Sequence, residues 1–79
     1  MEIAHVLITC EDKREDDVLD EMKSIKEVRE IKKMFGAYNA VIKIEAESVQ
    51  KIKKIMSDKI RNRPGILSTL TLVSACIFE

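Results

Sequence analysis

The chain has two glycines, and the first of them, Gly36, fixes where it must fold back on itself. Glycine and asparagine both tolerate positive φ, so Gly36-Ala37-Tyr38-Asn39 is the natural reversal between two β-rich runs, residues 28–35 and 39–45. Each side of this hairpin carries one further strand and one helical stretch. The turn therefore sits near the midpoint of a doubled strand–helix–strand pattern, and few small folds accommodate that pattern.

Residues 3–10 are apolar at both parities, as in a strand covered on both faces. Asp12, followed three residues later by Glu15, makes a capping-box-like start with Asp in place of Ser or Thr. The helix it opens has Val18, Leu19, Met22 and Ile25 at helical spacing, and acidic residues fill its first turns. Residues 28–35 have the wetter pattern of an edge strand. After the turn, residues 39–45 are strongly β-branched. Ser48 can cap a second helix whose apolar stripe is Val49, Ile52, Ile55, Met56 and Ile60, and Pro64-Gly65 supplies the stop signal. Residues 66–78 read as a last strand of about thirteen residues, long for a globular protein. Strands one and three begin about 36 residues apart, as do the two helices, so the halves look like an approximate duplication.

The order βαβ, hairpin, βαβ with right-handed crossovers predicts an α+β, ferredoxin-like sandwich. Its antiparallel sheet has the order 4-1-3-2, with both helices on one face. The helices cannot cover the other face, although the strands are apolar on both. A chain of 79 residues with 46% hydrophobic content forms one domain (1–79) with a core. A domain this size buries only roughly 60% of its unfolded surface. The expected remedy is a homodimer in which two open faces meet as a dimeric α/β barrel. The same topology gathers Thr9, Cys10, the 36–39 turn and residues 63–68 at one edge. An edge of turns, backbone donors and short polar side chains suits a small zwitterion, whose carboxylate a helix N-terminus favours. Cys10 and Cys76 fall at opposite ends of the sheet, roughly 20 Å or more apart at ~3.3 Å per residue, so no disulfide is expected.

Several function classes find no support in the residues. Fourteen basic and fourteen acidic side chains balance to zero net charge, which leaves no electrostatic footprint for nucleic acid. The basic run Lys51, Lys53, Lys54, Lys59, Arg61 and Arg63 reads as a solvated helix face. His5, the only histidine, stands mid-strand without Cys, Asp or Glu at ligand spacing, so it reads as a packed or interface residue. No Ser–His–Asp or Cys–His set can be assembled, and the acidic pairs of the first helix lack calcium-loop spacing. Neither phosphate-loop pattern is present, and both helices are committed to the sheet rather than to a helix-turn-helix. The expectation is a non-enzyme without metal or cofactor. Met1-Glu2-Ile3 opens directly into a strand, and no apolar run approaches the ~20 residues of a membrane span. With two thiols expected buried and reduced, the expected location is the cytoplasm.

Residues 3–73 resemble the C-terminal effector (RAM) domain of the Lrp/AsnC, or feast/famine, transcription regulators. The resemblance is carried by Ala4-His5-Val6-Leu7-Ile8, by Ile25-Lys26-Glu27-Val28, and by Gly36-Ala37-Tyr38-Asn39 followed by Val41-Ile42-Lys43-Ile44-Glu45-Ala46. Its most specific part is the run from Ile60 through Pro64-Gly65-Ile66 to Thr69-Leu70-Thr71-Leu72-Val73. It implies a stand-alone effector domain without the family's DNA-binding domain, and a dimer that often assembles into higher oligomers. It also implies an amino-acid effector held near contacts between dimers by Gly36, Ala37, Tyr38 and Asn39, with Gly65, Ser68 and Thr69 nearby. One departure falls at Asn39, where the family usually has Asp to hold the effector's ammonium group; Asn keeps an acceptor and loses the charge. The function implied is a small-molecule-sensing domain that modulates transcription regulation, through a full-length Lrp/AsnC-type regulator or by competing for effector. The alternatives are an assembly module with a vestigial site and an enzyme of the dimeric α/β-barrel kind, such as a monooxygenase. The lack of a usable His, Trp or acid pair inside the sheet argues against the enzyme.

Overall fold

A computed structural model of the chain describes residues 1–73. The expected elements follow in order: β1 (Glu2–Cys10), α1 (Glu15–Met22), β2 (Val28–Lys33), β3 (Ala40–Ala46), α2 (Val49–Ile55) and β4 (Ile66–Val73). They form one antiparallel sheet in the order β2-β3-β1-β4, the predicted 4-1-3-2 read from the other edge. The expected extension of β4 to residue 78 and the placement of Cys76 lie outside the described residues.

Alternation along β1 and β3 builds the core. Ala4, Val6, Ile8 and Cys10 interleave with Ala40, Ile42, Ile44 and Ala46 on the helix-bearing face, and all are buried. Val18, Met22, Ile25, Ile52, Ile55, Met56 and Ile60 cover them from the two helices and the turns that follow them. Each large aliphatic side chain removed from water here contributes about 1.5–3 kcal/mol. Truncating one as central as Ile42 to Ala costs about 2–5 kcal/mol, because the cavity left behind collapses only in part.

Helix ends divide into one that follows the local signal and one that does not. The Ser48 hydroxyl accepts from the Lys51 amide at 3.1 Å, as the capping pattern predicts. Asp12, in contrast, does not cap α1: the helix begins at Glu15, and Arg14 takes the cap position without any side-chain hydrogen bond. The reason is a tertiary contact. The Glu11 amide donates to the Gly65 carbonyl at 2.8 Å, and the Arg14 amide closes a turn on the Glu11 carbonyl at 3.0 Å. Lys13 takes positive φ inside that turn, which holds Asp12 off the helix. Helix α2 continues into a π-helical turn, Met56–Ile60, closed by the Arg61 amide on the Met56 carbonyl at 2.8 Å.

The face without helices differs from the expectation of uniform apolarity. Register sets Ile3, His5, Leu7 and Thr9 of β1 beside Ser68, Leu70 and Leu72 of β4 on one side. On the other side stand Val41, Lys43 and Glu45 of β3, then Glu30 and Lys32 of β2. The β1–β4 half is therefore apolar and the β3–β2 half charged. Leu70 and Leu72 are 44% and 52% exposed in the single chain.

Candidate functional site

The sequence places seven candidate residues at two sites along the chain, and the sheet puts both beside the end of β1. The β2–β3 turn lies on one flank. The Asn39 amide donates to the Ile8 carbonyl at 2.8 Å, and the Asn39 carbonyl accepts from the Met34 amide at 2.8 Å. The Asn39 Oδ1 accepts from the Cys10 amide at 2.7 Å. The β1–β3 ladder ends at the Ile8–Ala40 pair, and the carboxamide of Asn39 stands in for the peptide carbonyl that the ladder would next require. Asn serves well here because its side-chain acceptor sits at the reach of a short turn. Gly36 takes φ +124° with open space around it, so its demand is purely conformational.

The start of β4 lies on the other flank. Cys10 pairs with Ile66 and Thr9 with Ser68, with a register shift between them. That bulge leaves Leu67 without a partner and 62% exposed. Gly65 is required twice over: its φ is +93°, and a Cβ there would stand 2.9 Å from Val18 Cγ2. The glycine lets β4 begin directly against α1. Ser68 faces the open side of the sheet opposite Thr9, while Thr69 pairs with Ile8.

Because β1 runs between the two flanks, the turn and the start of β4 are separated by two strand spacings, about 10 Å. Within one chain they form an edge rather than an enclosed pocket. Gly36 and Ala37 are exposed, and Tyr38 and Asn39 are half-buried. Phe35, read as the end of β2, instead lies beyond it with its side chain wholly exposed. The wider concavities lie elsewhere. One of about 360 Å³, bordered by Met1, Glu27, Glu45 and Lys51, is at the far end of the sheet. Another of about 380 Å³ lies between α2 and β4 beside Met56 and Thr71.

The electrostatics of the edge are subdued. None of the seven residues is charged. Two carboxylates of the adjoining loop and helix are paired, Glu11 with Arg14 at 3.9 Å and Asp16 with Lys33 at 2.8 Å, while Glu15 stands close enough to Cys10 to act on its thiol. Glu15, Asp16 and Asp17 fill the first turn of α1, so the helix's positive end faces its own acids rather than a free anion site. Burial, and secondarily the Glu15 carboxylate, push the Cys10 thiol above its ordinary value, which keeps it protonated and inert. Among the described residues no cluster of His, Cys, Asp and Glu could hold a metal ion. What sequence reasoning missed is the Cys10 amide as the partner of Asn39, since nothing local in residues 9–11 signals it.

Comparison with known proteins fits this architecture. The family model of the Lrp/AsnC ligand binding domain matches residues 3–75. The chain belongs to that family. Among solved structures, FFRP-DM1 superposes with a TM-score of 0.91 at 25% identity, covering 95% of this chain and 100% of that one. A hypothetical protein from Pyrococcus horikoshii gives 0.90 at 25% identity, with 98% and 93% covered. AsnC of E. coli gives 0.86 at 25% identity, covering 99% of this chain and 54% of AsnC. These 79 residues thus correspond to the ligand-binding part of a longer regulator and to nearly the whole of smaller proteins. Among curated proteins nothing matches the chain. The family is a regulatory ligand-binding domain of transcription regulators, and among the described residues no helix is long and apolar enough to cross a membrane.

Proposed function

We propose that residues 1–79 form a single cytoplasmic, non-enzymatic effector-binding and assembly domain that modulates transcription regulation. The observation that carries this reading is the family match over a sheet whose β1–β4 half exposes leucines to water. Two such halves facing each other bury Ile3, Leu7, Leu70 and Leu72 and give a homodimer, with larger oligomers built on it. The effector is a small molecule of the amino-acid type. It is held at the edge formed by Gly36, Ala37, Tyr38, Asn39, Gly65, Ser68 and Thr69, and a neighbouring copy closes over what is an open edge in the single chain. The transcriptional regulator NMB0573 from Neisseria meningitidis, which shares the fold at 8% identity and a TM-score of 0.80, was solved as a complex with L-Met; this supports the choice of ligand class. Regulation then follows by mixed assembly with a full-length Lrp/AsnC-type regulator or by competition for effector.

A second reading is a pure assembly module with a vestigial site. It is favoured by the engagement of Asn39 Oδ1 with the main chain and by the open, unenclosed form of the edge among the described residues. Calorimetric titration with amino acids and related small carboxylates separates the two. Saturable heat with any of them is expected of the sensor, and none with all of them leaves the assembly module.

A further inference from the structure

We infer that the groove between α2 and β4 is a second ligand site, separate from the turn-bearing edge, and that it takes a short aliphatic carboxylate. The groove has a volume of about 380 Å³, within the roughly 300–1,000 Å³ of small-molecule sites. Buried Ile52 and Met56 wall it on the helix side. On the strand side stand Thr71 and Val73, which pair with Val6 and Ala4 of the core and so share the helix-bearing face. These two are roughly 6.6 Å apart along the strand, the span of a short alkyl chain. The Thr71 Oγ1 is buried and has no hydrogen-bond partner among the described residues. A hydroxyl in that position is costly to leave unpaired, and a turn about its χ1 presents it to the groove.

Charge decides what the occupant carries. Lys53 and Arg61 border the groove, and none of the residues lining it is acidic. Two neighbouring cations are committed, Lys59 to Glu27 and Arg63 to Glu21. Lys53 and Arg61 have no ion pair among the described residues; Glu2, on the same face of β1, and Asp58, next to Ser57 in the chain, pair with neither. The π-helical turn fixes the second cation. Its Arg61 amide closes on the Met56 carbonyl, one residue later than in an α-helix, and so sets Arg61 one wide turn beyond Met56. A carboxylate here meets two cations and accepts from the hydroxyls of Ser57 and Thr71. Its alkyl chain lies on Ile52, Met56 and Val73. An ammonium would meet two like charges and no acid. The groove opens on the helix-bearing side, so it stays accessible when two open sheet faces meet.

Amide chemical-shift titration of the full chain with hexanoate tests this, with hexan-1-ol and hexylamine as uncharged and cationic matches. The expected result is a saturable shift of the amides of residues 52–57, 61 and 71–73 with hexanoate, and at least tenfold weaker binding of both matches. Lys53 and Arg61 are exposed, so Lys53→Gln with Arg61→Gln should weaken hexanoate at least tenfold and leave circular dichroism unchanged. Thr71→Val should weaken it several-fold yet melt no lower than the native chain, since it removes an unpaired buried hydroxyl. A purely structural Thr71 would leave the affinity alone. The inference is overturned by no saturable shift with hexanoate, by hexanol or hexylamine binding as tightly, or by an affinity that neither variant moves. Shifts confined to residues 36–39 and 65–69 overturn it too, while leaving the sensor reading of the edge standing. Should the charge variant not fold, the native chain's ranking of the three ligands decides alone.

Discussion

Asn39 holds the turn to β1 through its main chain and its side chain together, and the side-chain bond can be removed without touching the others. Asn39→Ala leaves the Cys10 amide, part-buried beside the sheet end, without its acceptor. The expected loss is about 1–2 kcal/mol, and for a chain this short each kcal/mol moves the melting temperature by roughly 4–8 °C. Asn39→Asp keeps an acceptor and should melt within a few degrees of the native chain. The glycines offer a second comparison at the same scale. Gly36→Ala meets only the cost of an unfavourable φ, whereas Gly65→Ala adds a clash with Val18. Denaturant titration should show Gly36→Ala losing about 1–2 kcal/mol and Gly65→Ala losing more, about 2–3 kcal/mol or beyond. Equal losses would mean that α1 yields freely to the start of β4. The roles of these residues were only half legible in sequence. The need for positive φ shows in the residue type, but Asn39's partner at Cys10 and Gly65's neighbour at Val18 come from distant chain segments that only the fold assembles.

At the level of elements, local signals succeed where nothing tertiary competes with them. Ser48 caps α2 because its acceptor amide is three residues away and no other contact claims it. Asp12 carries an equally good signal for α1 and loses, because the Glu11–Gly65 bond pulls the chain into a turn first. The π-helical turn after α2 left no trace in the pattern, since the spacing of Ile52, Ile55, Met56 and Ile60 faces the sheet in either helix type. That turn carries Lys59, whose ammonium lies 3.5 Å from Glu27, the one buried charged residue among those described. Burial pushes the Glu27 carboxyl up, but its own backbone amide and Lys59 outweigh this and hold it below the usual carboxylate range. A carboxyl depressed by folding stabilises the native state above its ordinary value, and that stabilisation disappears as pH falls through the lowered one. Urea midpoints of the native chain and Glu27→Gln should therefore differ most near neutrality, begin to draw together below about pH 4.5 and converge only below the lowered carboxyl value. A gap that persisted unchanged at pH 3 would assign the residue's contribution to packing instead of charge.

For the whole molecule, zero net charge conceals a division. Residues 11–23 carry seven acidic and three basic side chains, while residues 47–63 carry six basic and two acidic. The helix layer thus has an acidic half and a basic half, either of which could attract another copy through water. The opposite side of the sheet offers leucines. These two ways of associating respond differently to salt. Contacts between exposed charges fade as the Debye length shrinks from ~10 Å at 0.1 M to ~3 Å at 1 M, whereas apolar burial does not weaken. If the β1–β4 half of the sheet is the dimer contact, light scattering should give a dimer at both salt concentrations. Leu70→Lys should then give a monomer with native circular dichroism, because Leu70 is already 44% exposed in the single chain and its replacement disturbs little of the core. A Leu70→Lys dimer that falls apart only at high salt would instead move the contact to the helices. The open face was legible in sequence as a need for cover, since two helices cannot cover two faces. Its division into an apolar and a charged half was not, because that depends on which residues of four strands register side by side. For the proposed dimer, that division favours a contact through the strands nearest the β4 edge, with Lys43, Glu45, Glu30 and Lys32 toward the rim, where charges choose among partners more than they bind them.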